Sequence, residues 1–438
     1  MNILFVVPYA PNSIRVRPYE LLRTLARHKH CVTLATLWQN EQERQELAML
    51  TALGIEIIAQ PLPKPRSLWN CVQALPGHAP LQAAYCWQPR LAQQLHQIVN
   101  QRVFDVIHVE HLRGAWYGLA LKEALQAANH RAPLVWDSVD CISHLFAQAA
   151  VHRRSRIGKL LARLELQRTQ RYEGWLVAQF DQVLVSSAAD RQALLALTGA
   201  GSAAVQQPGN DAKGIANAQR LAVLPNGVDL EQFQQQGTQP SHKTIIFSGK
   251  MSYHANVTAA LYLVQEIMPS VWAHDPTVQV QLVGKDPPAQ LRALVTATAN
   301  VVVTGAVPHM APYLCNATLA VAPLLYGAGI QNKVLEAMAC GAPVVASRQA
   351  AAGLQAAIGR DLLVADNAAA FATAILTLLN NPAQRAQLSQ AGRAYVEQVH
   401  GWDGIGSQLE ALYAAARRQI AVRATNDTLT DWTRPCTK

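Results

Sequence analysis

The 438-residue sequence predicts an α/β protein made of two doubly wound domains, each with a parallel β-sheet between layers of helices. Two observations support this prediction. Short runs rich in β-branched residues alternate with amphipathic helical segments through both halves of the chain. The runs are apolar throughout, which is typical of strands covered on both faces. The length also exceeds what one hydrophobic core usually serves, so two domains are expected.

The individual elements follow from the same pattern. In the first half it predicts helices over residues 17–27 and 90–100, and strands over residues 2–7, 31–36, 55–59, 106–109, 134–136 and 182–186. In the second half it predicts strands over residues 244–247, 278–283, 301–304, 319–322 and 344–346.

Two segments without hydrophobic periodicity separate the halves. Residues 199–218 are rich in Gly, Ala, Gln and Asn, and residues 234–242 form a polar stretch before the next strand. We therefore predict an N-terminal domain over residues 1–225 and a C-terminal domain over residues 240–400. A terminal helix over residues 401–421 and a disordered tail over residues 425–438 complete the prediction.

Composition narrows the class of protein. No apolar run reaches the ~20 residues that a membrane-spanning helix needs, and the first residues, which lack a basic leader, predict a buried strand. The seven cysteines are scattered and form no Cys-x-x-Cys pair, which argues against a disulfide framework or a zinc site and indicates a reducing cytoplasm. The net charge of +9 favours an anionic partner.

The segment 327–341, GAGIQNKVLEAMACG, carries the strongest chemical signal. Its glycines open a helix, and backbone N–H groups at a helix N-terminus suit a diphosphate. Lys333 lies in the first turn, where a cation is unfavourable unless an anion is also present. Glu336 is placed to accept hydrogen bonds from ribose hydroxyls. The alternative is an ordinary helix start with surface charges.

Two further loops follow predicted strands. Gly249 and Lys250 follow the first strand of the second half, and Gly284 follows the next. Glycine lets a ligand approach the backbone, and lysine neutralises phosphate. Because ligands of open α/β sheets bind beyond the carboxyl ends of strands, these loops together predict a phosphate site, although each alone is an ordinary turn.

These residues resemble the family 4 retaining glycosyltransferases. The resemblance covers essentially the whole chain and is strongest from residue 224 to residue 346. It is closest to a subgroup associated with bacterial exopolysaccharide and surface-polysaccharide assembly, whose Gly-x-Gly-x-x-x-Lys-Val-Leu-Glu pattern is similar to residues 327–336. The motifs that carry it, in the family's order, are LPNGVD at 224–229, FSG at 247–249, VG at 283–284, TGAV at 304–307 and LEAMACGAPVVA at 335–346.

The resemblance implies a GT-B fold with two Rossmann-like domains, an interdomain cleft and a terminal helix that crosses back onto the first domain. It also implies a cytoplasmic enzyme that moves a hexosyl group from a nucleotide-sugar donor to a glycan or lipid-linked acceptor, with retention and without a bound metal. The implied catalytic residues are Asp137, Lys250 and Lys333. The implied donor-binding residues are Gly249, Lys250, Gly284, Val307, Gly329, Asn332, Lys333 and Glu336.

The sequence departs from the family pattern at two positions. Relatives carry an arginine at the position of Lys250 and a lysine at the position of Ala255, so the first cation is kept and the second is absent. Ala328 stands where relatives carry the first glutamate of a Glu-x7-Glu pair. Lys333 is expected to restore the missing positive charge, and Glu336 is the remaining glutamate.

The N-terminal half supplies the candidate acceptor contacts. Arg15 and Arg17 follow the loop after the first strand; the alternative for Arg17 is a solvated residue at a helix start. Asp137 and Asp140 follow the strand at 134–136, where many relatives place a histidine. Either carboxylate could orient an acceptor hydroxyl or stabilise positive charge on the sugar, or Asp137 could cap the next helix.

A basic amphipathic stretch follows. Arg153, Arg154, Arg156 and Lys159 precede leucines at helical spacing, which predicts peripheral contact with anionic lipid at the inner membrane face or with a lipid-linked acceptor. The alternative is a solvated helix face.

Two other functions fit the same fold. A nucleotide-sugar 2-epimerase would use the same ligand class, and Ala255 and Ala328 also allow a catalytically silent subunit of a polysaccharide assembly complex. Nucleic-acid binding has only the net charge in its favour, because basic and aromatic residues are not interleaved; we expect no nucleic-acid partner.

Overall fold

The computed structural model describes residues 1–12, 14–151, 156–199, 210–235, 243–327 and 329–431. The chain divides into two compact units: unit 1 comprises Met1–Leu224 and Gly406–Lys438, and unit 2 comprises Pro225–Ile405. Ala328 and the predicted lipid contacts Arg153 and Arg154 lie outside the described residues, as do the side chains of Arg156 and Lys159.

Unit 1 is built on a seven-stranded sheet in which every pairing is parallel. The strand order is β3-β2-β1-β4-β5-β6-β7. All residues of the fourth and sixth strands are buried, which agrees with their apolar runs. The strands are β1 (Asn2–Val7), β2 (Cys31–Trp38), β3 (Glu56–Pro61), β4 (Val106–Glu110), β5 (Leu134–Val139), β6 (Gln182–Val185) and β7 (Leu221–Val223).

Helices connect the strands of unit 1, since parallel neighbours need crossover connections. They are α1 (Val16–Arg27), α2 (Glu41–Thr51), α3 (Lys64–Ala74), α4 (Leu81–Tyr85), α5 (Pro89–Gln101), α6 (His111–Ala127), α7 (Ile142–Val151), α8 (Arg156–Val177), α9 (Ala188–Leu197) and α10 (Asn210–Arg220).

Unit 2 has a six-stranded parallel sheet in the order β10-β9-β8-β11-β12-β13. Its strands are β8 (Thr244–Ser248), β9 (Gln279–Val283), β10 (Val301–Gly305), β11 (Leu319–Ala322), β12 (Val344–Ala346) and β13 (Leu363–Val364). Its helices are α11 (His254–Tyr262), continued by a π-helical turn at Leu263–Ile267, α12 (Met268–His274), α13 (Ala289–Ala297), α14 (Ala311–Cys315), α15 (Asn332–Ala339), α16 (Arg348–Ala351), α17 (Ala368–Asn380) and α18 (Pro382–Val399).

The last helix, α19 (Trp402–Asp431), belongs to unit 1 from Gly406 onward. It packs there through a buried hydrogen bond of 2.8 Å between the Tyr413 hydroxyl and His108 Nδ1. The helix continues past residue 425, where we expected a disordered tail to begin. No glycine or proline stands between residues 407 and 434 to end it earlier.

Strands β7 and β13 and helix α10 are among the elements that the pattern did not predict. Strands β7 and β13 have three and two residues, too few to show a periodicity, and are defined by their pairing with β6 and β12. Helix α10 lies where we expected an irregular linker; its alanines, Gln219 and Arg220 have high helix propensity. None of the described helices is long and apolar enough to span a bilayer.

Candidate functional site

The loops that carry the predicted donor residues meet at one edge of the unit 2 sheet. Strand β8 pairs with β9 on one side and with β11 on the other, so successive connections diverge at this point. Open α/β sheets bind ligands in the crevice beyond the carboxyl ends of strands at such a switch point. The loop after β8 carries Gly249 and Lys250, and the loop after β11 leads through Gly329 into α15.

The loop after β8 and the loop after β9 are in contact at Gly249 and Gly284. Gly249 and Gly284 have φ angles of 143° and 150°, which residues other than glycine rarely adopt. A Cβ atom on Gly284 would lie 1.7 Å from the Gly249 carbonyl oxygen. The loops are joined by hydrogen bonds of 3.0 Å from Gly249 N to Val283 O and 2.9 Å from Met251 N to Lys285 O. Glycine at residue 284 is therefore what allows this close approach.

We expect Gly284→Ala to destabilise unit 2 by about 3 kcal/mol or more, because it adds a backbone clash to an unfavourable φ. Gly359→Ala is the matched control: Gly359 also has a positive φ, of 87°, but no atom of the described part of the chain lies within 4 Å of its Cβ position. The control should lose only about 1 kcal/mol. Urea unfolding of the two variants tests this, and equal losses would contradict the close-approach argument.

Lys333 lies beside these glycines. Its Cε atom is 3.3 Å from the position that a Cβ on Gly249 would take. Its ammonium is 5.8 Å from the ring centre of the buried Phe247 and donates a 3.2 Å hydrogen bond to Gln331 Oε1. The side chain of Lys333 thus extends from the first turn of α15 to the loop after β8.

Burial shifts the ionisation of Lys333 and of its neighbour Glu336 in opposite directions. It lowers the pKa of Lys333 to about 8, although the charge of Glu336 opposes this shift. It raises the pKa of Glu336 to about 7, which the charge of Lys333 opposes. Both groups therefore titrate near neutral pH, and pKa values shifted in this way are common at functional sites.

The N-terminus of α15 is not capped by the side chain of its N-cap residue, Gln331. The neighbouring Asn332 side chain accepts a 3.4 Å hydrogen bond from Asn226 Nδ2. Gly329 reaches the helix with a φ of 65°. Backbone N–H groups and the ammonium of Lys333 therefore meet at this helix start, which suits an anion.

The remaining predicted donor residues differ in placement. Lys250 is exposed in the loop after β8. Val307 follows β10, which β9 separates from β8, and it packs on the core of unit 2. The structure groups Gly249, Gly284 and Lys333, and the Gly305 carbonyl at the end of β10 accepts a 3.2 Å hydrogen bond from Gly284 N. The donor contact of Val307 stays a prediction.

Asn256 is a candidate that the sequence did not reveal. It is 5% exposed, donates a 2.9 Å hydrogen bond to the Lys250 carbonyl, and faces the Gly249 Cβ position. Among the described residues, none pairs with its Oδ1 atom. Its only sequence signal is its place next to Ala255, which is buried in α11.

A second polar cluster lies at the carboxyl edge of the unit 1 sheet. The Arg17 guanidinium is 5% exposed and binds the fully buried Asp137, with Nε and Nη2 each 2.9 Å from Oδ2. Arg17 Nη1 also donates to the Leu224 carbonyl at 3.0 Å. The interpretation of Arg17 as a solvated helix-start residue is wrong, because the ion pair holds it inside the unit.

Asp137 does not cap the next helix. Its Oδ1 atom accepts a 3.1 Å hydrogen bond from Val139 N. The N–H groups of Ile142 and Ser143 at the start of α7 bind the Glu173 carboxylate at 2.8 and 3.0 Å instead. Since Arg17 and Val139 already occupy the two oxygens of Asp137, its direct contact with an acceptor stays a prediction.

Glu110 is an acidic residue at this edge that the sequence did not single out. It ends β4, is 2% exposed, and accepts a 2.9 Å hydrogen bond from the Tyr9 hydroxyl. No partner for its Oε2 atom lies in the described part of the chain. Burial, followed by the charge of Asp137, raises its pKa to about 8.

The two remaining predicted residues of this edge have separate partners. Arg15 donates 2.9 and 3.1 Å hydrogen bonds to the Ala10 carbonyl and to Glu43 Oε1. Asp140 accepts a 3.0 Å hydrogen bond from Ser186, and burial raises its pKa to about 7. The structure thus assembles a cluster of cationic and acidic side chains at this edge, and Glu110 has an oxygen that pairs with none of the described residues.

Two family models match the chain. Residues 13–207 match the model described as glycosyl transferase 4-like domain, and residues 242–381 match the model described as glycosyl transferases group 1. Together the two matches cover more than half of the chain.

Similar proteins were found by sequence and by structure. MMP alpha-(1->4)-mannosyltransferase of Mycolicibacterium hassiacum is 28% identical over 214 residues, which are 46% of this chain and 50% of that protein. Sucrose-phosphate synthase from Thermosynechococcus elongatus has a TM-score of 0.67 at 17% identity, covering 96% of this chain and 99% of that one. Anabaena HepE in complex with UDP has a TM-score of 0.64 at 16% identity, covering 95% and 100%. The match to the mannosyltransferase spans about half of its length, and the likeness to the solved structures shows the fold.

Proposed function

Since the chain belongs to the glycosyltransferases of the GT-B type, we propose that it moves a hexosyl group from a nucleotide-diphosphate sugar to a glycan or lipid-linked acceptor. We further propose that the transfer retains the anomeric configuration and serves bacterial surface-polysaccharide synthesis in the cytoplasm. The observation that carries the proposal is the ammonium of Lys333 between the Gly249 loop and the start of α15.

The donor diphosphate is proposed to lie at the N-terminus of α15. Lys333, Lys250 and backbone N–H groups would neutralise the charge that grows on the diphosphate as the bond from the sugar C1 to its oxygen breaks. The new bond forms between C1 and the acceptor hydroxyl oxygen, and the hydroxyl proton passes to the departing phosphate oxygen. Glu336 would accept hydrogen bonds from the ribose hydroxyls. HepE, which has a similar fold, was crystallised with UDP.

The acceptor is proposed to contact the polar edge of the unit 1 sheet. One oxygen of Glu110 has no partner there among the residues that the structure describes, and Arg17 and Asp137 form a buried ion pair beside it. Arg15 is one-third exposed and adds a cation near the loop after β1. The basic stretch that begins at Arg153 is proposed to hold the enzyme at anionic lipid, where a lipid-linked acceptor would be anchored.

The test is a panel of UDP-, GDP- and ADP-sugars offered to the purified chain with and without candidate acceptors. We expect one nucleotide sugar to bind and to lose its sugar to an acceptor. Conversion of the nucleotide sugar without an acceptor would indicate the 2-epimerase instead. Binding without transfer or hydrolysis would indicate the silent subunit.

Glu336→Gln is expected to weaken binding of that nucleotide sugar by one to two decades, because one charge-assisted hydrogen bond contributes about 1.5–3 kcal/mol. Calorimetric titration measures the loss, and an unchanged Kd would reject the ribose contact.

The affinity for the nucleotide sugar should also decrease both as the pH rises above neutrality and as it falls below it. Lys333 is cationic below its pKa of about 8, so diphosphate binding should weaken as the pH rises above that value. Glu336 is ionised above its pKa of about 7, so the ribose contact should weaken as the pH falls below it. Lys333→Arg should remove the alkaline decrease and Glu336→Gln the acidic one. A pH profile that neither variant changes would contradict both assignments.

A further inference from the structure

Helix α3 of unit 1 exposes an unusual number of large apolar side chains. Leu68, Trp69 and Val72 are 65%, 54% and 54% exposed, and Leu75, just past the end of the helix, is 55% exposed. At about 100° per residue, Leu68, Val72 and Leu75 fall on one stripe of the helix. Contiguous exposed apolar surface of this kind marks an interaction site more often than a free surface.

Helix α8 continues this surface. Arg168 of α8 donates hydrogen bonds to the Leu75 and Gly77 carbonyls, so α8 lies against the chain just after α3. Leu164 and Trp175 of α8 are 53% and 48% exposed. Leu164 lies four residues before Arg168 and Trp175 lies seven residues after it, so all three side chains fall on one face of that helix.

The charge around this surface is mostly positive, with one acid, Glu165 of α8, which accepts a 2.6 Å hydrogen bond from Leu81 N. The chain has no aspartate or glutamate between Glu56 and Asp105, a stretch that includes all of α3 with Lys64 and Arg66. On α8, the exposed Arg171 adds a further cation. Apolar and tryptophan side chains flanked by cations match the boundary between the headgroups and acyl chains of an anionic bilayer.

We propose that α3, with the exposed face of α8, is a membrane-docking surface that inserts Leu68, Trp69, Val72 and Leu75 into an anionic bilayer. A second copy of the chain fits less well, because it would bring like charges together. The proposal adds apolar insertion, on described residues, to the electrostatic attraction predicted from the stretch at Arg153. It concerns membrane binding alone, so it stands or falls independently of glycosyl transfer.

The experiment is cosedimentation of the full chain with neutral vesicles and with vesicles containing anionic lipid, at low and high salt. We expect binding to anionic vesicles that high salt weakens without abolishing, because screening removes the charge attraction but not the apolar insertion. Binding that high salt abolishes, or equal binding to both kinds of vesicle, would overturn the proposal.

The test variant is Leu68→Ser/Val72→Ser, and the matched control is Met49→Ser, which changes a 61% exposed residue on α2. Each apolar side chain that no longer inserts into the bilayer should weaken vesicle binding about tenfold, so the double variant should bind vesicles about a hundredfold more weakly. The control should bind as the unchanged chain does. Equal binding of the double variant and the control would overturn the proposal.

Two further measurements keep the result clear. Trp69→Phe should lose a large part of the fluorescence quenching by bromine-labelled lipids, since the proposal places that ring among the acyl chains. Sedimentation velocity without lipid should show no self-association that depends on Leu68 and Val72. Self-association of that kind without vesicle binding would assign the surface to a second copy instead.

Discussion

Lys333→Met is expected to lower kcat/KM for the nucleotide sugar by about two to three orders of magnitude, the loss seen when one preorganised donor to a developing anion is removed. Methionine keeps a side-chain stem beside Gly249 and Phe247 but removes the ammonium from the start of α15. The same variant should weaken binding of the nucleoside diphosphate and leave binding of the nucleoside alone nearly unchanged. Steady-state kinetics and calorimetry with these ligands measure both effects.

The matched control is Lys243→Met. Lys243 lies immediately before β8, at the opposite end of that strand from Gly249, and its ammonium pairs with Asp275 at 2.6 Å. The ion pair is partly exposed, so its loss should cost little stability and no activity. An unchanged nucleoside-diphosphate affinity in Lys333→Met, or an equal loss in Lys243→Met, would remove Lys333 from the donor site.

Arg17→Met is expected to destabilise the protein by about 3–5 kcal/mol, because it leaves the carboxylate of Asp137 buried without its cation. Neither side chain of this pair is more than 5% exposed. The double variant Arg17→Met/Asp137→Asn should recover most of the loss, since it buries no unpaired charge and keeps an oxygen for Val139 N. Urea unfolding of the single and double variants measures the free energies.

Arg15→Met provides the comparison for this ion pair. Arg15 pairs with Glu43 at 3.1 Å, but its side chain is 33% exposed, so solvent screens the interaction. Its loss should cost less than about 1 kcal/mol. If Arg17→Met were no more destabilising than Arg15→Met, or if the double variant were the least stable of the three, the buried pair would not have the assigned role.

The chain order of strands and helices was accessible from the sequence because it depends on local patterns. Strands β1, β11 and β12 begin and end where the apolar runs at residues 2–7, 319–322 and 344–346 predict. A strand buried on both faces needs only a short apolar run, and that information lies within a few neighbouring residues. The π-helical turn after α11 has no such local pattern and was not predicted.

The sequence also determined which loops carry the residues that we propose to bind the donor phosphates. Gly249, Gly284 and Lys333 were chosen from their places just after strands or at a helix start, and the parallel sheet brings those places to one edge. Only the tertiary structure decided the contacts among them. The Lys333 Cε atom lies beside Gly249 because α15 follows β11 and β11 pairs with β8, a relation that spans more than eighty residues.

The pairing of the polar side chains at the carboxyl edge of the unit 1 sheet depended on the tertiary structure still more. Arg17 and Asp137 are 120 residues apart, and the sequence allowed either to be a solvated or capping residue. Glu110 is an ordinary acidic residue in the sequence, and only the fold shows that it is buried, that Tyr9 pairs with one of its oxygens and that no described residue pairs with the other. The physical reason is that secondary structure follows from local periodicity, whereas ionisation and pairing depend on desolvation by residues distant in the chain.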